Sequence, residues 1–196
     1  MVFITIWEVI EMAITIAFVG YIFSDIFPKR ITYENMLKMG PRFDVESFKF
    51  AAIVAGSAII LHELGHKVMA MSFGMQATYQ AAFTWLILGV ILKLMNFGFF
   101  VLVPAFVSIV GTSSSTPLQF SLIALAGPLV NLLLWLLFSH LLKNKKIYKK
   151  HHMMLHYGKE INKFRFIFNI LPIPGFDGYK VLGYLLKLAG VNLPLM

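Results

Sequence analysis

The chain has 196 residues, of which 59% are hydrophobic and only 13% are charged. Soluble domains carry about 25% charged residues, so this composition excludes a disordered chain, a basic nucleic-acid-binding domain and an ordinary cytosolic enzyme. The length allows one compact unit rather than two. Because the apolar residues also lie in long runs, the sequence predicts a single integral membrane domain over residues 1–196, multi-pass and expected in the cell membrane.

The formal net charge of +8 comes from 17 Lys and Arg residues against 9 Asp and Glu residues. The basic residues gather in two segments, 29–49 and 143–165, which lie beside apolar stretches. Such clusters usually set the orientation of a span and contact anionic lipid headgroups, and no DNA- or RNA-binding motif accompanies them. The lipid bilayer is therefore an expected partner, and nucleic acid is not. Cysteine is absent, so a metal site must use histidine and carboxylate ligands.

Four apolar stretches are long enough to cross a hydrocarbon core of about 30 Å, which takes about 20 helical residues. In chain order they are an N-terminal span at 1–27 and further spans at 48–73, 118–142 and 164–188. The last is broken near its middle by Pro172, Pro174 and Gly175. Two acids of the first span, Glu8 and Glu11, share one helix face, where they could line a water path or pair with Lys93. The expected fold is an all-α membrane protein, a bundle of about four to six transmembrane helices.

The segment 74–117 between the second and third spans admits two interpretations. Its apolar run at 85–95 is too short to cross alone, and 97–110 contains a glycine and a proline among β-favouring residues. We favour a re-entrant or short β segment between the first two core helices. The alternative is one long tilted span that places Lys93 inside the membrane.

The strongest local pattern is the run His62-Glu63-Leu64-Gly65-His66 in the second predicted span. Residues four apart lie on one face of a helix, so both imidazoles could reach one Zn²⁺. Glu63, one position further round, could then hold a zinc-bound water as general base. The alternative is a set of polar side chains that satisfy one another inside a bundle. Polar residues at this density are costly to bury in an apolar span, which favours the zinc site.

A catalytic zinc ion usually has three protein ligands, so the third must lie outside this run. From residue 67 to residue 139 the chain has no Asp, Glu or His, and the downstream candidates are His140, His151, His152, His156, Glu160 and Asp177. All but Asp177 lie in or beside the lysine-rich segment, which is typical of a solvated surface. Asp177 follows a helix break in an apolar segment and is the expected third ligand. The alternative is a proline-kinked span whose Asp177 bonds a neighbouring helix.

The stretch from Asn169 to Gly178 indicates how this carboxylate could turn inward. Prolines at 172 and 174 remove backbone donors and enforce extended geometry, and glycines at 175 and 178 permit a tight path. An extended run could thus carry Asp177 to the histidines, with the Asn169 amide nearby as a hydrogen-bond donor.

These motifs make the sequence recognisable. It resembles the site-2 protease family of intramembrane zinc metalloproteases, because three motifs occur in the family's order, each in its own apolar span. They are HELGH at 62–66, Ala-Gly-Pro-Leu-Val-Asn at 126–131 and the pattern Asn169…Pro172…Asp177-Gly178. The resemblance covers a three-span catalytic core over roughly residues 48–188. The insert at 74–117 is longer and more apolar than the family's usual β-hairpin.

The resemblance implies a role for each matching residue. The implied ligands of one zinc ion per chain are His62, His66 and Asp177. The implied catalytic residues are Glu63, as general base, and Asn169, which would face the substrate or the oxyanion. The implied residues of close helix packing at the site are Gly127, Pro128 and Asn131.

The residues and the resemblance together predict an intramembrane zinc-dependent endopeptidase, which hydrolyses a peptide bond within or near transmembrane segments of membrane-protein substrates. Zinc would lower the pKa of its bound water from 15.7 toward about 7, and Glu63 would take the proton. The main alternative is a non-catalytic membrane protein that binds or transports zinc. A metal-free scaffold and a zinc enzyme for lipid-like amides are further alternatives, and the ligand set also suits iron.

Two arguments about the membrane orientation disagree. If the basic segments 28–47 and 143–163 both face the cytoplasm, the N-terminus lies outside and the insert begins and ends on one side of the membrane. The resemblance implies that the first core span runs in the opposite direction, with the zinc nearer the cytoplasmic face.

Overall fold

Helices make up most of the chain. The computed structural model describes residues 3–27, 44–97 and 103–191. Its helices are α1 (Ile6–Phe23), α2 (Val45–Ser72), α3 (Phe83–Leu94), α4 (Pro117–Leu141), α5 (Lys145–Ile170) and α6 (Asp177–Leu188). Its strands are β1 (Gln76–Ala81) and β2 (Ala105–Val110). The described chain is therefore mostly helical and carries one small sheet.

Among the described residues, three helices are long and apolar enough to cross a membrane: α1, α2 and α4. They correspond to the predicted spans at 1–27, 48–73 and 118–142. Helix α3 has 12 residues, about 18 Å of helix, and is too short to cross alone. The structure thus supports three of the predicted four to six spans.

The predicted fourth span at 164–188 is not one continuous helix. Helix α5 ends at Ile170, and α6 begins at Asp177 after the connection 171–176. The two prolines of this connection have no backbone N–H, so the helix cannot continue through it. The break is confirmed, but it separates two helices instead of kinking one. Helix α5 also starts earlier than expected, inside the basic segment.

Local capping explains where two of the apolar helices begin. The Thr5 hydroxyl accepts a hydrogen bond from the Glu8 amide (3.3 Å), and the Glu8 carboxylate accepts one from the Thr5 amide (2.8 Å). Thr116 and Gln119 form the same reciprocal pair at α4 (3.4 and 2.9 Å), where Pro117 takes the first helical position. Both arrangements satisfy amides that an uncapped helix leaves without a partner.

Helix α2 contains a π-helical turn at Ala52–Gly56, where it packs against α1. A methyl group on Gly20 of α1 would come within 2.8 Å of the Ala52 Cβ, and one on Gly56 would come within 3.2 Å of Ile16. Small residues of this kind allow membrane helices to approach closely. The two helices therefore pack nearly backbone to backbone just before the histidine-containing part of α2.

The sheet joins the two ends of the insert that follows α2. β1 and β2 pair antiparallel, from Gln76 opposite Val110 to Ala81 opposite Ala105, and α3 lies between them in the chain. The predicted short β segment is confirmed, and the alternative of one long tilted helix over 74–117 is wrong. Re-entry of this segment into the membrane stays a prediction.

Two acids of α1 bind the outer edge of β1. Glu8 accepts a hydrogen bond from the Tyr79 amide (2.7 Å) and forms a buried ion pair with Lys67 of α2. Glu11 accepts a hydrogen bond from the Ala81 amide (2.7 Å). Helix α1 is therefore joined to both β1 and α2 by polar contacts as well as by apolar packing.

Lys93, which the sequence analysis considered as a partner of these acids, binds elsewhere. Its ammonium donates to the Ser24 hydroxyl (2.6 Å) and to the Tyr21 carbonyl oxygen, and it lies 3.2 Å from the Asp25 carboxylate. These contacts hold α3 against the C-terminal end of α1. A pairing of Lys93 with Glu8 or Glu11 is thus excluded by the structure.

The main apolar core lies between α1, α2, the sheet and α3. Its buried members include Val19, Ile59, Tyr79 and Leu86. The Tyr79 hydroxyl donates to Thr15 of α1 (2.9 Å), so the core also contains a satisfied polar pair.

Candidate metal centre

Helix α2 presents two histidines on one buried face. His62 and His66 are 3% and 7% exposed, and their Nε2 atoms lie 3.2 Å apart. The spacing of four residues explains this arrangement, because it returns both rings to the same side of the helix. The expected convergence of the two imidazoles is therefore present.

Asp177, the first residue of α6, occupies the third corner of the site. Its Oδ2 lies 3.0 Å from His62 Nε2 and 3.2 Å from His66 Nε2. All three residues are buried, and each has a possible ligand atom within 4.8 Å of the others. Residues 115 positions apart in the chain thus meet at one point.

The connection before α6 directs Asp177 toward the histidines. Gly178 packs against the end of α5, where a methyl group would overlap the carbonyl oxygens of Ile170 and Leu171. Gly175 adopts a φ of +96°, a conformation that favours glycine. Both glycines permit the tight path that the sequence predicted. Asp177 itself lies at a helix N-terminus and not in an extended run, so the helix dipole also favours its negative charge.

Each histidine uses its other ring nitrogen for a hydrogen bond to α4. His62 Nδ1 donates to Asn131 Oδ1 (2.6 Å), and His66 Nδ1 donates to the Ile123 carbonyl oxygen (2.7 Å). A proton on Nδ1 leaves the lone pair on Nε2, so these contacts select the tautomer that can bind a metal. Both Nε2 atoms face Asp177.

A chain of buried amides continues from His62 across three helices. Asn131 Nδ2 donates to Asn162 Oδ1 of α5 (2.8 Å) and to the Ala58 carbonyl oxygen of α2 (3.3 Å). Asn162 in turn donates to the Gly158 carbonyl oxygen (2.8 Å). The sequence analysis gave Asn131 a packing role only and missed Asn162, because a buried amide in a basic helix follows no pattern that reveals its partner.

Glycines on the facing helices leave room for the two imidazoles. A methyl group on Gly127 of α4 would overlap His66 Nε2 and come within 2.8 Å of His62 Nε2. One on Gly65 of α2 would come within 2.8 Å of the Val130 side chain. The site therefore depends on a close approach of α2 and α4.

The three donors fit a zinc ion. Zinc binds imidazole nitrogen and carboxylate oxygen at about 2.0–2.2 Å, so two ligands of a tetrahedral site lie roughly 3.3 Å apart. The donor atoms here are separated by 3.0, 3.2 and 3.2 Å. Catalytic zinc sites use three protein ligands and keep a fourth position for water. His62, His66 and Asp177 can therefore hold zinc with one position open.

A cavity of about 840 Å³ lies beside these ligands. Glu63, which is 7% exposed, and Asn169 both line it, so the predicted catalytic residues share one space with the predicted ligands. Asn169 Nδ2 donates to the Arg165 carbonyl oxygen (3.0 Å), which uses one of its two N–H donors. The rest of the wall is largely apolar and comes from α1, β2, α4 and α5.

The other ligand candidates do not join the site. The four exposed histidines, as expected for a solvated surface, are His140, His151, His152 and His156. Glu160 lines the cavity but pairs with Lys159 (2.8 Å), and this hydrogen bond lowers the pKa of the Glu160 carboxyl. It therefore stays ionised and paired with a neighbour on its own helix.

Arg165 is a cavity residue that the sequence analysis missed. It lies in α5, one turn before Asn169 and between two phenylalanines, and it lines the cavity. The sequence analysis counted it only as the end of the basic segment. Its position inside an apolar run was the available signal, since a charge there is costly to bury.

Comparisons with known proteins identify the family of the chain. The profile of Peptidase family M50 matches residues 50–153, which include the HELGH run and the α4 motif but end before Asp177. A curated protein of Methanocaldococcus jannaschii, named "Putative zinc metalloprotease MJ0611", is 36% identical over 175 residues, which is 89% of this chain and 83% of that protein. No solved structure matches. The chain belongs to peptidase family M50, the site-2 protease family of membrane-associated zinc metalloproteases.

Proposed function

We propose that this protein is an intramembrane zinc endopeptidase, a multi-pass protein of the cell membrane. It hydrolyses a peptide bond within or near transmembrane segments of membrane-protein substrates. The observation that carries the proposal is the donor set of His62, His66 and Asp177 next to Glu63 in one cavity. Family membership supports zinc-dependent proteolysis, and the three candidate spans support a substrate that lies in the membrane.

The ligands and the general base have separate tasks. His62, His66 and Asp177 hold the ion, and zinc at this position would supply Lewis-acid polarisation and a more acidic water. Glu63 follows His62 directly in α2, so its carboxylate is near the reacting atoms without being a ligand. It takes a proton from the attacking water and returns it to the leaving amine.

Asn169 lines the same cavity from α5 and would bind the substrate there. One of its amide N–H groups binds the Arg165 carbonyl oxygen, which fixes the side chain. The second N–H can donate to the oxygen of the scissile carbonyl as negative charge develops there. A fixed donor of this kind stabilises the transition state more than the ground state.

The sheet supports a route for an extended substrate. A helical substrate hides its carbonyl groups and must unwind before it is cut. The outer amides of β1 at Tyr79 and Ala81 are already bound by Glu8 and Glu11. β2 lines the cavity, and its other edge has no strand partner in the described part of the chain. An unwound substrate segment can therefore add to β2 as a further strand.

The first prediction concerns Glu63. A panel of transmembrane substrates is incubated with wild-type protein and with Glu63→Gln in liposomes, and the zinc content of both is measured. We expect the wild type to cleave at least one substrate. Because Glu63 is not a ligand, Glu63→Gln should keep its zinc and lose at least about 100-fold in rate, as expected for a lost general base.

The matched control is Glu46→Gln, which removes an exposed acid from the first turn of the same helix. It should cleave like the wild type. Cleavage by Glu63→Gln at the wild-type rate would contradict the assigned role. Zinc flux that is equal in both proteins, with no cleavage by either, would support the transport alternative instead.

A further inference from the structure

Arg165 places a positive charge in the wall of the catalytic cavity. It lies four residues before Asn169 on the same face of α5, and both residues line the cavity together with Glu63 and Asp177. The Asn169 side chain is bound to the Arg165 carbonyl oxygen, so the two residues are held in a defined relation. A group that binds Arg165 is therefore close to the predicted reacting centre.

Arg165 is half-buried, and part of its guanidinium group is buried without a partner. Arg165 Nε is buried and has no hydrogen-bond partner, and within the described ranges no carboxylate lies within 4.0 Å of the side chain. A cation that is partly buried among apolar side chains without a partner is costly, and such residues usually pair with another group. No group of the described chain fills this role, which indicates a partner that arrives with the substrate.

The overall charge of the cavity favours an anionic partner. The charged side chains that line it are Lys163, Arg165, Lys180, Glu63, Glu160 and Asp177. The three cations balance the three carboxylates, so a bound divalent metal ion would leave the cavity with an excess of two positive charges. Lys180 already contacts Asp177 (3.6 Å), and Glu160 is bound by Lys159 (2.8 Å). Lys163 lies over the Trp135 ring, with its Nζ 5.9 Å from the ring centroid. Arg165 is therefore the cation best placed to bind an incoming anion.

We propose that Arg165 forms a carboxylate-binding subsite, in which its guanidinium, whose buried Nε has no partner, recognises a carboxylate of the peptide substrate beside the scissile bond. The planar fork of N–H groups matches the two oxygens of a carboxylate. The carboxylate comes from an Asp or Glu side chain or from a free C-terminus of the substrate. This inference rests on the proposed peptidase function and adds a substrate preference to it.

The test uses a transmembrane peptide that the wild-type protein cleaves. In the first pair of peptides, Asp or Asn is placed at one position near the scissile bond, and each such position is tested in turn. In the second pair, the peptide ends near the scissile bond with either a free carboxylate or an amide. We expect one acidic position, or the free C-terminus, to raise kcat/KM about 10- to 100-fold, mainly through KM. The two pairs of peptides distinguish the two sources of the carboxylate.

Variants of Arg165 test whether this residue causes the preference. Arg165→Met should lose the preference, keep its zinc and still cleave the neutral peptide, whereas Arg165→Lys should retain part of the preference. The control Lys187→Gln removes an exposed cation from the last turn of α6 and should behave like the wild type. A preference that survives in Arg165→Met would overturn the proposal. An equal loss of kcat on acidic and neutral peptides in zinc-loaded Arg165→Met would also overturn the proposal. That result would mean that Arg165 acts on the scissile carbonyl and not on a substrate carboxylate.

Equilibrium binding to Glu63→Gln protein provides a measurement that needs no change at Arg165. The acidic peptide should bind about tenfold or more tightly than its neutral counterpart. Equal binding of both peptides would overturn the subsite even if cleavage is observed. Absence of any cleavage by the wild type, with this binding preference intact, would overturn the peptidase function and leave the subsite standing.

Discussion

At the residue scale, the contact between His62 and Asn131 determines which ring nitrogen is available to a metal. The Asn131 oxygen accepts the Nδ1 proton, and the Asn131 amide group is itself held by Asn162 and by the Ala58 carbonyl oxygen. All groups of this hydrogen-bond network are buried. With the proton on Nε2 instead, His62 Nδ1 and Asn131 Oδ1 would be two acceptors facing each other without a proton between them. Residues outside the predicted ligand set thus hold His62 in the tautomer that can bind a metal.

This contact leads to a prediction for Asn131→Ala. Removal of the acceptor should lower the zinc affinity about 10- to 100-fold, as is usual for hydrogen-bond partners of metal-bound histidines. The affinity is measured by competition with a zinc chelator in detergent. Gln76→Ala, which removes an exposed amide at the start of β1, should leave it unchanged. Wild-type affinity in a folded Asn131→Ala protein would show that Asn131 only fills space.

Single residues differ in how well the sequence predicted them. The histidine pair was recognisable because its spacing of four on a helix is itself the geometry of a ligand pair. Asp177 was recognisable because it follows a break in an apolar stretch. Asn162 and Arg165 were not, since a lone polar residue indicates importance but not its partner. The contact of Asn162 with Asn131 and the place of Arg165 in the cavity wall became visible only in the structure.

At the element scale, the site depends on the crossing of α2 and α4. Gly65 and Gly127 face each other's helices at this crossing, and His62 and His66 lie where a side chain on Gly127 would otherwise be. Pro128, directly after Gly127, is also fully buried. The glycine of the α4 motif therefore provides the space that the two imidazoles occupy.

The crossing leads to a prediction for Gly127→Ala. Alanine is a better helix former than glycine by about 1 kcal/mol, so the change would stabilise an isolated α4. In the protein, the added methyl group should displace the imidazoles and remove most of the bound zinc. Zinc per chain is measured by elemental analysis, with Leu133→Ala on the exposed face of α4 as a control that keeps its zinc. A full complement of zinc in Gly127→Ala would contradict the packing described here.

The elements were predicted from the sequence where their signals are local. Apolar length identified α1, α2 and α4. β-favouring composition at 97–110 indicated the region of β2, but it did not locate β1. The segment at 164–188 was treated as one broken span because its composition is apolar throughout. The structure divides it between α5 and α6, and α5 extends back into the basic segment. The two prolines showed that the helix is interrupted, but the apolar composition could not show that the two parts are separate helices.

At the scale of the whole molecule, distant parts of the chain meet at the cavity. Helix α1 lies outside the residues that match the family profile, yet its Glu8 pairs with Lys67, the residue directly after His66. The two side chains are 2% and 1% exposed, and breaking such a buried pair costs about 3–5 kcal/mol. Helix α1 therefore belongs to the same folded unit as the predicted metal ligands.

The zinc content of purified Asp177→Ala protein tests the account most directly. Asp177 is contributed by α6 and the two histidines by α2, so only the folded chain brings the three ligands together. We expect about one zinc ion per chain in the wild type and very little in Asp177→Ala, since two histidines alone are one ligand short of the usual three. A folded Asp177→Ala protein that retains one tightly bound zinc ion per chain would contradict this expectation.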